Sequence, residues 1–298
     1  MWASNNDFMK SCILLAVLLA STTSSWSAQK YSASGLVLRV DPSHRTIFVS
    51  CESIPGYMDA MIMPISVRDS KTLAGLAPGV MVDFTLVVEK KASYAESIYV
   101  RDFEDLEQQP LAARRLKIIE DLDSAKSLGT SVLKIGQRLP SVVLTDQNRK
   151  EIDLAGFAGK VVLVNFIYTH CPLPDYCFRL SNNLGNVQRR FKQQMGRDLI
   201  LFSVTFDPIN DQPEVLASYA RTWNADPNWH FLTRAVPEIR RVCNMFGVNF
   251  WPDEAELMHS LHTVIIDQQG KLAANLEGNQ FTVRQLGDLV QSILQRSR

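Results

Sequence analysis

The sequence has no excess of charge of either sign and few cysteines. Its 298 residues contain 31 lysines and arginines and 31 aspartates and glutamates. With no net field to attract nucleic acid, we expect no nucleic-acid partner. Five cysteines are too few for a disulfide-stabilised scaffold. The length and composition are those of a globular protein with one large or two medium domains.

The apolar run near the N-terminus, residues 12–20, is too short to cross a bilayer as a helix. It follows Lys10, and Ser25-Trp26-Ser27 places small residues at the −3 and −1 positions of a cleavage site. We therefore expect residues 1–27 to be a signal peptide, with an uncleaved membrane anchor as the alternative. Either way, the rest of the chain is expected in the periplasm or an equivalent extracytoplasmic, oxidising compartment.

Residues 28–104 have the pattern of an all-β domain. Short runs of alternating apolar and polar residues, separated by Pro, Gly and Asp, predict five strands at 35–40, 45–50, 61–67, 80–88 and 97–101. Five short strands in this length predict a small OB-like β-barrel.

Residues 105–132 are rich in charged residues and alanine, with apolar residues at helical spacing. They predict a helical linker that lets the flanking domains move relative to each other. From 133 to 298 predicted strands and helices alternate, with buried strands at 161–168 and 199–206 and a closing hairpin and helix after residue 261. This order predicts an α/β thioredoxin-like domain.

Two cysteines, Cys171 and Cys177, follow the first buried strand of that domain. In a continuous helix, residues six positions apart would lie on different faces, about 9 Å apart along the axis. Two prolines between them exclude that helix, so the loop can bring the sulfurs close enough for a disulfide or a shared metal ion. Asp175 is a candidate N-cap that would place Cys177 in a first helical turn, where the dipole favours the thiolate. A structural disulfide is the alternative to redox chemistry or soft-metal binding.

The predicted barrel contains a second group of sulfur ligands. Met61 and Met63 lie two residues apart on one strand, so their thioethers share a face. Met58 precedes them, and Cys51 ends the preceding strand. Thioethers and thiolates suit Cu(I), although methionines also fill irregular cores.

The segment from Cys51 to Pro64 resembles the metal site of periplasmic CusF-like copper and silver chaperone domains. Those small barrels bind Cu(I) through a Met-x-Met pair and a histidine, with an aromatic ring against the metal. The resemblance assigns Met61 and Met63 as ligands. The histidine position falls at Ser50 or Cys51, and Met58 lies near the aromatic position, so Cys51 and Met58 are candidate replacement ligands.

The second domain resembles the Sco/SenC family, thioredoxin-fold proteins that bind copper and help assemble the copper centre of cytochrome oxidase. Three stretches carry the resemblance in order: Gly159–Cys171, Phe202–Glu214 and His259–Gly270. The family binds its metal through two cysteines and a distal histidine.

The resemblance implies that Cys171, Cys177 and His259 bind copper as Cu(I) or Cu(II). Five residues separate the cysteines, where the family more often has three. His259 lies eleven residues before Gly270, as the family's ligand does, whereas His262 is expected inside a strand.

Other residues near these motifs have simpler predicted roles. Asp207 and Asp211 follow the second buried strand; they could face the site, but turn formation and helix capping are the preferred roles. Cys243 lies on an apolar helix and is expected in the core, and His170 is expected to face solvent.

We therefore predict an exported copper-binding chaperone that delivers copper to the copper-containing subunit of a membrane cytochrome oxidase, working at the membrane surface. The alternative is a thiol–disulfide oxidoreductase that keeps the oxidase's ligand cysteines reduced, with Cys171 and Cys177 as the redox-active pair. A Cys-x-x-Cys motif, typical of thioredoxin-type reductases, is absent. A peroxidase is disfavoured because Thr169 lies two residues before Cys171 rather than three.

Overall fold

A computed structural model describes residues 28–90, 92–101, 132–172, 174–253 and 256–296. The predicted signal peptide, and nearly all of the predicted linker, lie outside the described residues. No helix within the described residues has the length and apolarity to cross a membrane.

The N-terminal part is a closed five-stranded barrel. Its strands run β1 Gln29–Asp41, β2 Thr46–Cys51, β3 Ile62–Val67, β4 Met81–Val88 and β5 Ser93–Val100, joined in the order β1-β2-β3-β5-β4. Alternate residues point inward and form one apolar core, as the period-two pattern requires. Gly35 permits the tight crossing of β1 over β2, because a Cβ there would lie 2.6 Å from the Ser50 carbonyl oxygen. The predicted OB-like barrel is confirmed.

The C-terminal part contains a seven-stranded sheet in the order β14-β13-β8-β9-β10-β6-β7. The strands are β6 Val143–Asp146, β7 Glu151–Asp153, β8 Val161–Ile167, β9 Leu199–Thr205, β10 Trp229–Thr233, β13 His262–Ile266 and β14 Leu272–Glu277. A separate hairpin pairs β11 Phe250–Asp253 with β12 Glu256–His259. Strands β8, β9 and β10 are parallel, so their carboxyl ends meet at one edge of the sheet.

Within the described residues, four α-helices accompany this sheet: α1 Arg179–Arg190, α2 Pro213–Thr222, α3 Val236–Met245 and α4 Val283–Gln295. Every residue of β8 and of β9 is buried, as expected for central parallel strands covered on both faces. Helix α4 begins with a capping box, in which Thr282 and Gln285 satisfy each other's backbone N–H groups. The arrangement is a thioredoxin-like domain, as predicted.

The barrel packs directly against the second domain. Leu36, Leu38 and Met81 of the barrel belong to the same buried apolar cluster as Leu276 and Leu286. Gly79 approaches the edge strand β14 so closely that a Cβ would lie 3.1 Å from the side chain of Leu276. The two domains therefore share a buried apolar contact in this structure, whereas the sequence predicted a semi-rigid linker that lets them move relative to each other.

A buried polar network completes the contact between barrel and helix α4. The Ser50 hydroxyl donates to Asp288 at 2.8 Å, and Arg284 donates to the Cys51 carbonyl oxygen at 2.6 Å. Asp288 also accepts hydrogen bonds from Arg284 and from Arg190 on α1. One buried carboxylate thus joins the end of β2 to two helices of the other domain.

Replacing this carboxylate should weaken the whole fold. Asp288→Ala leaves Ser50, Arg190 and Arg284 without their common acceptor, so we expect the free energy of unfolding to fall by about 2 kcal/mol. Urea denaturation followed by circular dichroism measures the loss. The matched control is Glu96→Ala, which removes a solvent-exposed ion pair with Lys30 and should cost less than about 1 kcal/mol. Equal losses for both variants would show that the interface network adds no stability.

Candidate metal centre

Cys171, Cys177 and His259 converge at the carboxyl end of β8. Their ligand atoms, two Sγ atoms and one ring nitrogen, all lie within 4.8 Å of one another. Cys171 is partly exposed, whereas Cys177 and His259 are buried. All four cysteines within the described residues, these two and Cys51 and Cys243, are free thiols. The structure thus places two thiols and one imidazole in a group of the size that a single ion needs.

The backbone around Cys177 differs from the prediction. Cys177 lies in a π-helical turn, Pro174–Phe178, which ends before α1 begins at Arg179. It is therefore outside the first turn of the α-helix, where the predicted dipole effect would act. Burial, together with the neighbouring Cys171, instead raises the pKa of the Cys177 thiol well above its usual value. The prediction of a favoured Cys177 thiolate is wrong for the metal-free protein.

His259 is oriented by its own backbone neighbour. Its Nδ1 lies 3.0 Å from the carbonyl oxygen of Ser260, which can only accept, so Nδ1 carries the proton. The neutral ring then has its lone pair on Nε2, which lies 3.6 Å from Sγ of Cys177. This is the tautomer that a metal-binding imidazole requires.

The hairpin that carries His259 was not predicted. His259 ends β12 and pairs with Phe250 on β11, so it lies in a short strand of its own, just before β13. The aromatic residues at 250 and 251, followed by Pro252 and Asp253, are a strand-and-turn signal that could have revealed it.

Aromatic rings enclose the imidazole of His259. The ring centroid of Phe206 lies 4.4 Å from it, and Tyr168 and Tyr176 meet it edge-on at 6.0 and 6.1 Å. His259 is only 6% exposed. These rings exclude water from one side of the imidazole, so its Nε2 lies beside Cys177 in an environment of low dielectric constant.

A buried aspartate holds the first residues of the thiol loop. Asp211 is fully buried and accepts hydrogen bonds from the Thr169 backbone N–H at 3.0 Å, from the Thr169 hydroxyl and from the Thr205 hydroxyl at 2.6 Å. Burial raises its pKa despite these hydrogen bonds. The preferred prediction of a capping role for Asp211 is wrong, because Gln212 is the N-cap of α2. Asp207 forms a turn with Asn210, as predicted.

Three further residues have the roles predicted for them. His262 lies in β13, where Nδ1 contacts the side-chain oxygen of Asn275 at 2.9 Å. Cys243 is fully buried in the core, and the side chain of His170 is 72% exposed. These residues lie outside the group formed by Cys171, Cys177 and His259.

The barrel places Cys51 on the same face as the two methionines. The Cys51 backbone N–H donates to the Met61 carbonyl oxygen at 2.9 Å, continuing the register in which Val49 faces Met63. Residues directly opposite in an antiparallel pair share a face, so Cys51, Met61 and Met63 lie on one side of the β2–β3 pair. Met58 and Met63 pack against the apolar cluster that contains Cys51, and Met61 is half exposed.

Ser50 points to the opposite side, where it bonds to Asp288. Of the two residues at the expected histidine position, only Cys51 therefore shares a face with the methionines. Burial raises the pKa of the Cys51 thiol to about 12, although the Arg284 guanidinium nearby acts in the opposite direction.

Two family models match the chain. A model described as SCO1/SenC matches residues 139–295, and one described as copper binding periplasmic protein CusF matches residues 30–98. An SCO2-like protein of Rickettsia typhi is 32% identical over 146 residues, which cover 47% of this chain and 68% of that protein. The first matched range contains Cys171, Cys177 and His259, and the second contains the sulfur residues of the barrel.

Solved structures also resemble the C-terminal part. The structure of Arabidopsis thaliana ScoI with copper bound is 23% identical, with a TM-score of 0.47, and the match covers 54% of this chain and 99% of that one. BsSco, described as a member of the Sco family of cytochrome c oxidase assembly proteins, is 22% identical, with a TM-score of 0.47. That match covers 55% of this chain and 98% of that one.

The exposure and pKa differences among the thiols predict an order of alkylation. In the reduced, metal-free protein at pH 8, iodoacetamide should modify Cys171 first. Cys51 and Cys243 should react at least about 100-fold more slowly, because burial raises the pKa of both and shields their sulfur atoms. Peptide mapping by mass spectrometry gives the four rates, and the protein unfolded in guanidinium is the control. Labelling of Cys51 as fast as Cys171 would contradict the closed barrel.

Proposed function

Because the chain belongs to the SCO1/SenC family, we propose that it is an exported copper chaperone for a respiratory cytochrome oxidase. It would deliver copper for assembly of the oxidase's copper centre, acting on the copper-containing subunit at the membrane surface. The observation that carries the proposal is the convergence of Cys171, Cys177 and the unprotonated nitrogen of His259 within 4.8 Å.

The three proposed ligands suit copper more than a hard cation. Two thiolates and a neutral imidazole favour Cu(I) and also accept Cu(II), whereas magnesium and calcium require oxygen ligands. The Ser260 carbonyl oxygen supports this assignment by holding the proton of His259 on Nδ1. Copper must displace the protons of both thiols, so the affinity should fall as the pH falls.

The proposed centre has one open side for a partner. Cys171 is partly exposed, and the exposed apolar side chain of Ile209 follows β9 at this edge of the sheet. A chaperone needs such access because its cargo moves by exchange of ligands, one protein ligand replacing another. Cys171 is the ligand that an incoming protein would reach first.

We further propose that the barrel binds a second copper ion through Met61, Met63 and Cys51, with Met58 as an additional ligand. The shared face of Cys51 and the two methionines supports this assignment. Met61 is half exposed and can receive the ion from solvent, while Cys51 lies inside. The match of residues 30–98 to a copper-binding periplasmic family also supports export of the chain.

A second function is favoured by the closeness of the two loop thiols. The Sγ atoms of Cys171 and Cys177 lie within 4.8 Å of each other, so a disulfide between them requires little rearrangement. As an oxidoreductase, the pair would pass two electrons and two protons to a disulfide of the target, which becomes a dithiol while Cys171 and Cys177 become a disulfide.

Copper stoichiometry tests both proposed sites. The reduced protein without its signal segment is equilibrated with Cu(I) and a chelating competitor, and bound copper is measured. We expect two ions in the wild type and the loss of one in each of two variants, Cys171→Ser/Cys177→Ser and Met61→Leu/Met63→Leu. If the wild type binds one ion and only the cysteine variant loses it, the barrel site is ruled out. If the wild type retains no copper, the chaperone proposal is rejected.

Replacement of His259 distinguishes the two functions. His259→Ala should weaken Cu(I) binding at the thiols by at least about 100-fold, because a ligand contributes more than an outer-shell partner. The same variant should still reduce a model disulfide at close to the wild-type rate. His170→Ala, an exposed histidine beside the same loop, is the control and should keep its affinity. Unchanged copper affinity in His259→Ala would reject this ligand and favour the oxidoreductase.

A further inference from the structure

Arg284 connects the second domain to a candidate copper ligand of the barrel. It lies in the first turn of α4, and its Nη2 donates to the Cys51 carbonyl oxygen at 2.6 Å. Its Nη1 donates to the Ser50 hydroxyl at 3.0 Å and to Asp288 at 3.1 Å. One guanidinium group therefore contacts the last two residues of β2 from outside the barrel.

The helix start that carries Arg284 is itself fixed in place. Helix α4 begins with a capping box formed by Thr282 and Gln285. Gln285 is fully buried, and its Nε2 also donates to the Ser50 carbonyl oxygen at 3.1 Å. Asp288, one helical turn after Arg284, accepts from its guanidinium group and so orients it. The end of β2 thus docks on a helix start of defined geometry.

The backbone hydrogen bonds of Cys51 join the two domains. Its N–H donates inside the barrel, to the Met61 carbonyl oxygen at 2.9 Å, whereas its carbonyl oxygen accepts from Arg284 of the second domain. With both backbone groups held, the side chain keeps only rotation about χ1, which has three staggered states. Cys51 is fully buried, which restricts these states further. The direction of its thiol therefore depends on a residue outside the barrel.

Cys51 is the best-fixed of the four candidate ligands in the barrel. It is fully buried, whereas Met58 and Met63 are partly buried and Met61 is exposed. A metal site binds most tightly when its ligands are already held in the binding geometry, and contacts outside the ligand set provide that support. Loss of the contact that holds Cys51 should therefore weaken the whole site.

We propose that Arg284 is a positioning residue for Cu(I) in the barrel, so that the barrel site is complete only when the barrel is docked on the second domain. The inference rests on the proposed second copper site and adds a residue of the other domain to it. Arg284 does not bind the metal; it acts through Cys51. Because coupling between two binding events is reciprocal, copper in the barrel in turn strengthens the contact between the domains.

Competition with a Cu(I) chelator tests the proposal in the reduced two-domain protein. The background variant Cys171→Ser/Cys177→Ser removes the other proposed site, so that bound copper measures the barrel alone. In this background Arg284→Gln should lower the Cu(I) affinity by about tenfold, as expected for a partner outside the ligand set. Arg284→Lys keeps one charged donor and should give a smaller loss. Unchanged affinity in Arg284→Gln would overturn the inference.

Arg190→Gln is the matched control. Arg190 donates to Asp288 at 2.7 Å and to the Arg284 carbonyl oxygen at 3.2 Å, and neither of these bonds reaches the barrel. The variant therefore weakens the same network between the domains but keeps the bond to Cys51. Its Cu(I) affinity should equal that of the background protein. A loss as large as that of Arg284→Gln would indicate a general effect of the interface and would reject the positioning role.

A double-mutant cycle with Cys51→Ser separates positioning from a purely structural role. If Arg284 acts through Cys51, Arg284→Gln should not change the residual Cu(I) affinity once Cys51 is replaced. Ultraviolet Cu(I)–thiolate absorption, which Cys51→Ser removes, should also weaken in Arg284→Gln. Equal losses of affinity with and without Cys51 would assign Arg284 a structural role only. Circular dichroism confirms that each variant is folded, and Arg284→Lys carries the same cycle if Arg284→Gln does not fold.

Failure of this inference can be distinguished from failure of the barrel site itself. If the background protein retains no Cu(I), the barrel site is rejected together with the role of Arg284. If the background protein retains one ion and Arg284→Gln binds it equally well, the barrel site stands and only the role of Arg284 is rejected.

Discussion

The complete burial of β8 is the constraint on which the rest of the structure depends. Every residue from Val161 to Ile167 is buried between the layers of the thioredoxin-like domain, so this strand has no exposed face for polar chemistry. Reactive groups can meet solvent only where the strand ends. Cys171 lies just beyond that end, and the parallel neighbours β9 and β10 bring Asp211 and Thr233 to the same edge. The position of the site thus follows from the sheet.

At that edge, backbone hydrogen bonds determine what the side chains can do. The Ser260 carbonyl oxygen keeps the proton of His259 on Nδ1 and leaves Nε2 toward Cys177. Asp211 holds Thr169 and so limits where the loop with Cys171 can go. Both contacts orient a residue of the proposed metal centre without using the atom that would bind the metal.

The barrel is part of this architecture and packs against the other domain through a buried interface. Two neighbouring residues of β2 have different roles. The Ser50 side chain bonds to Asp288 of α4, whereas the Cys51 side chain points into the barrel on the face that it shares with Met61 and Met63. A strand permits this division because successive side chains point to opposite faces. The face that docks on α4 is therefore separate from the face that carries the sulfur atoms.

Both folds could be predicted from the sequence, because alternating and continuous apolar runs follow directly from which faces are buried. The Met61–Met63 pair and the Cys171–Cys177 loop could also be identified as candidate sites from the sequence, since the residues of each are close in the chain. Other features of the site and of the domain interface could be seen only in the folded protein. The β11–β12 hairpin, the buried role of Asp211 and the contact between Ser50 and Asp288 join residues far apart in sequence, or depend on burial that no local pattern encodes. The raised pKa of Cys177 has the same origin: the sequence predicts a helix start and a thiolate, but Cys177 lies before α1 begins, and desolvation in the folded chain favours the neutral thiol.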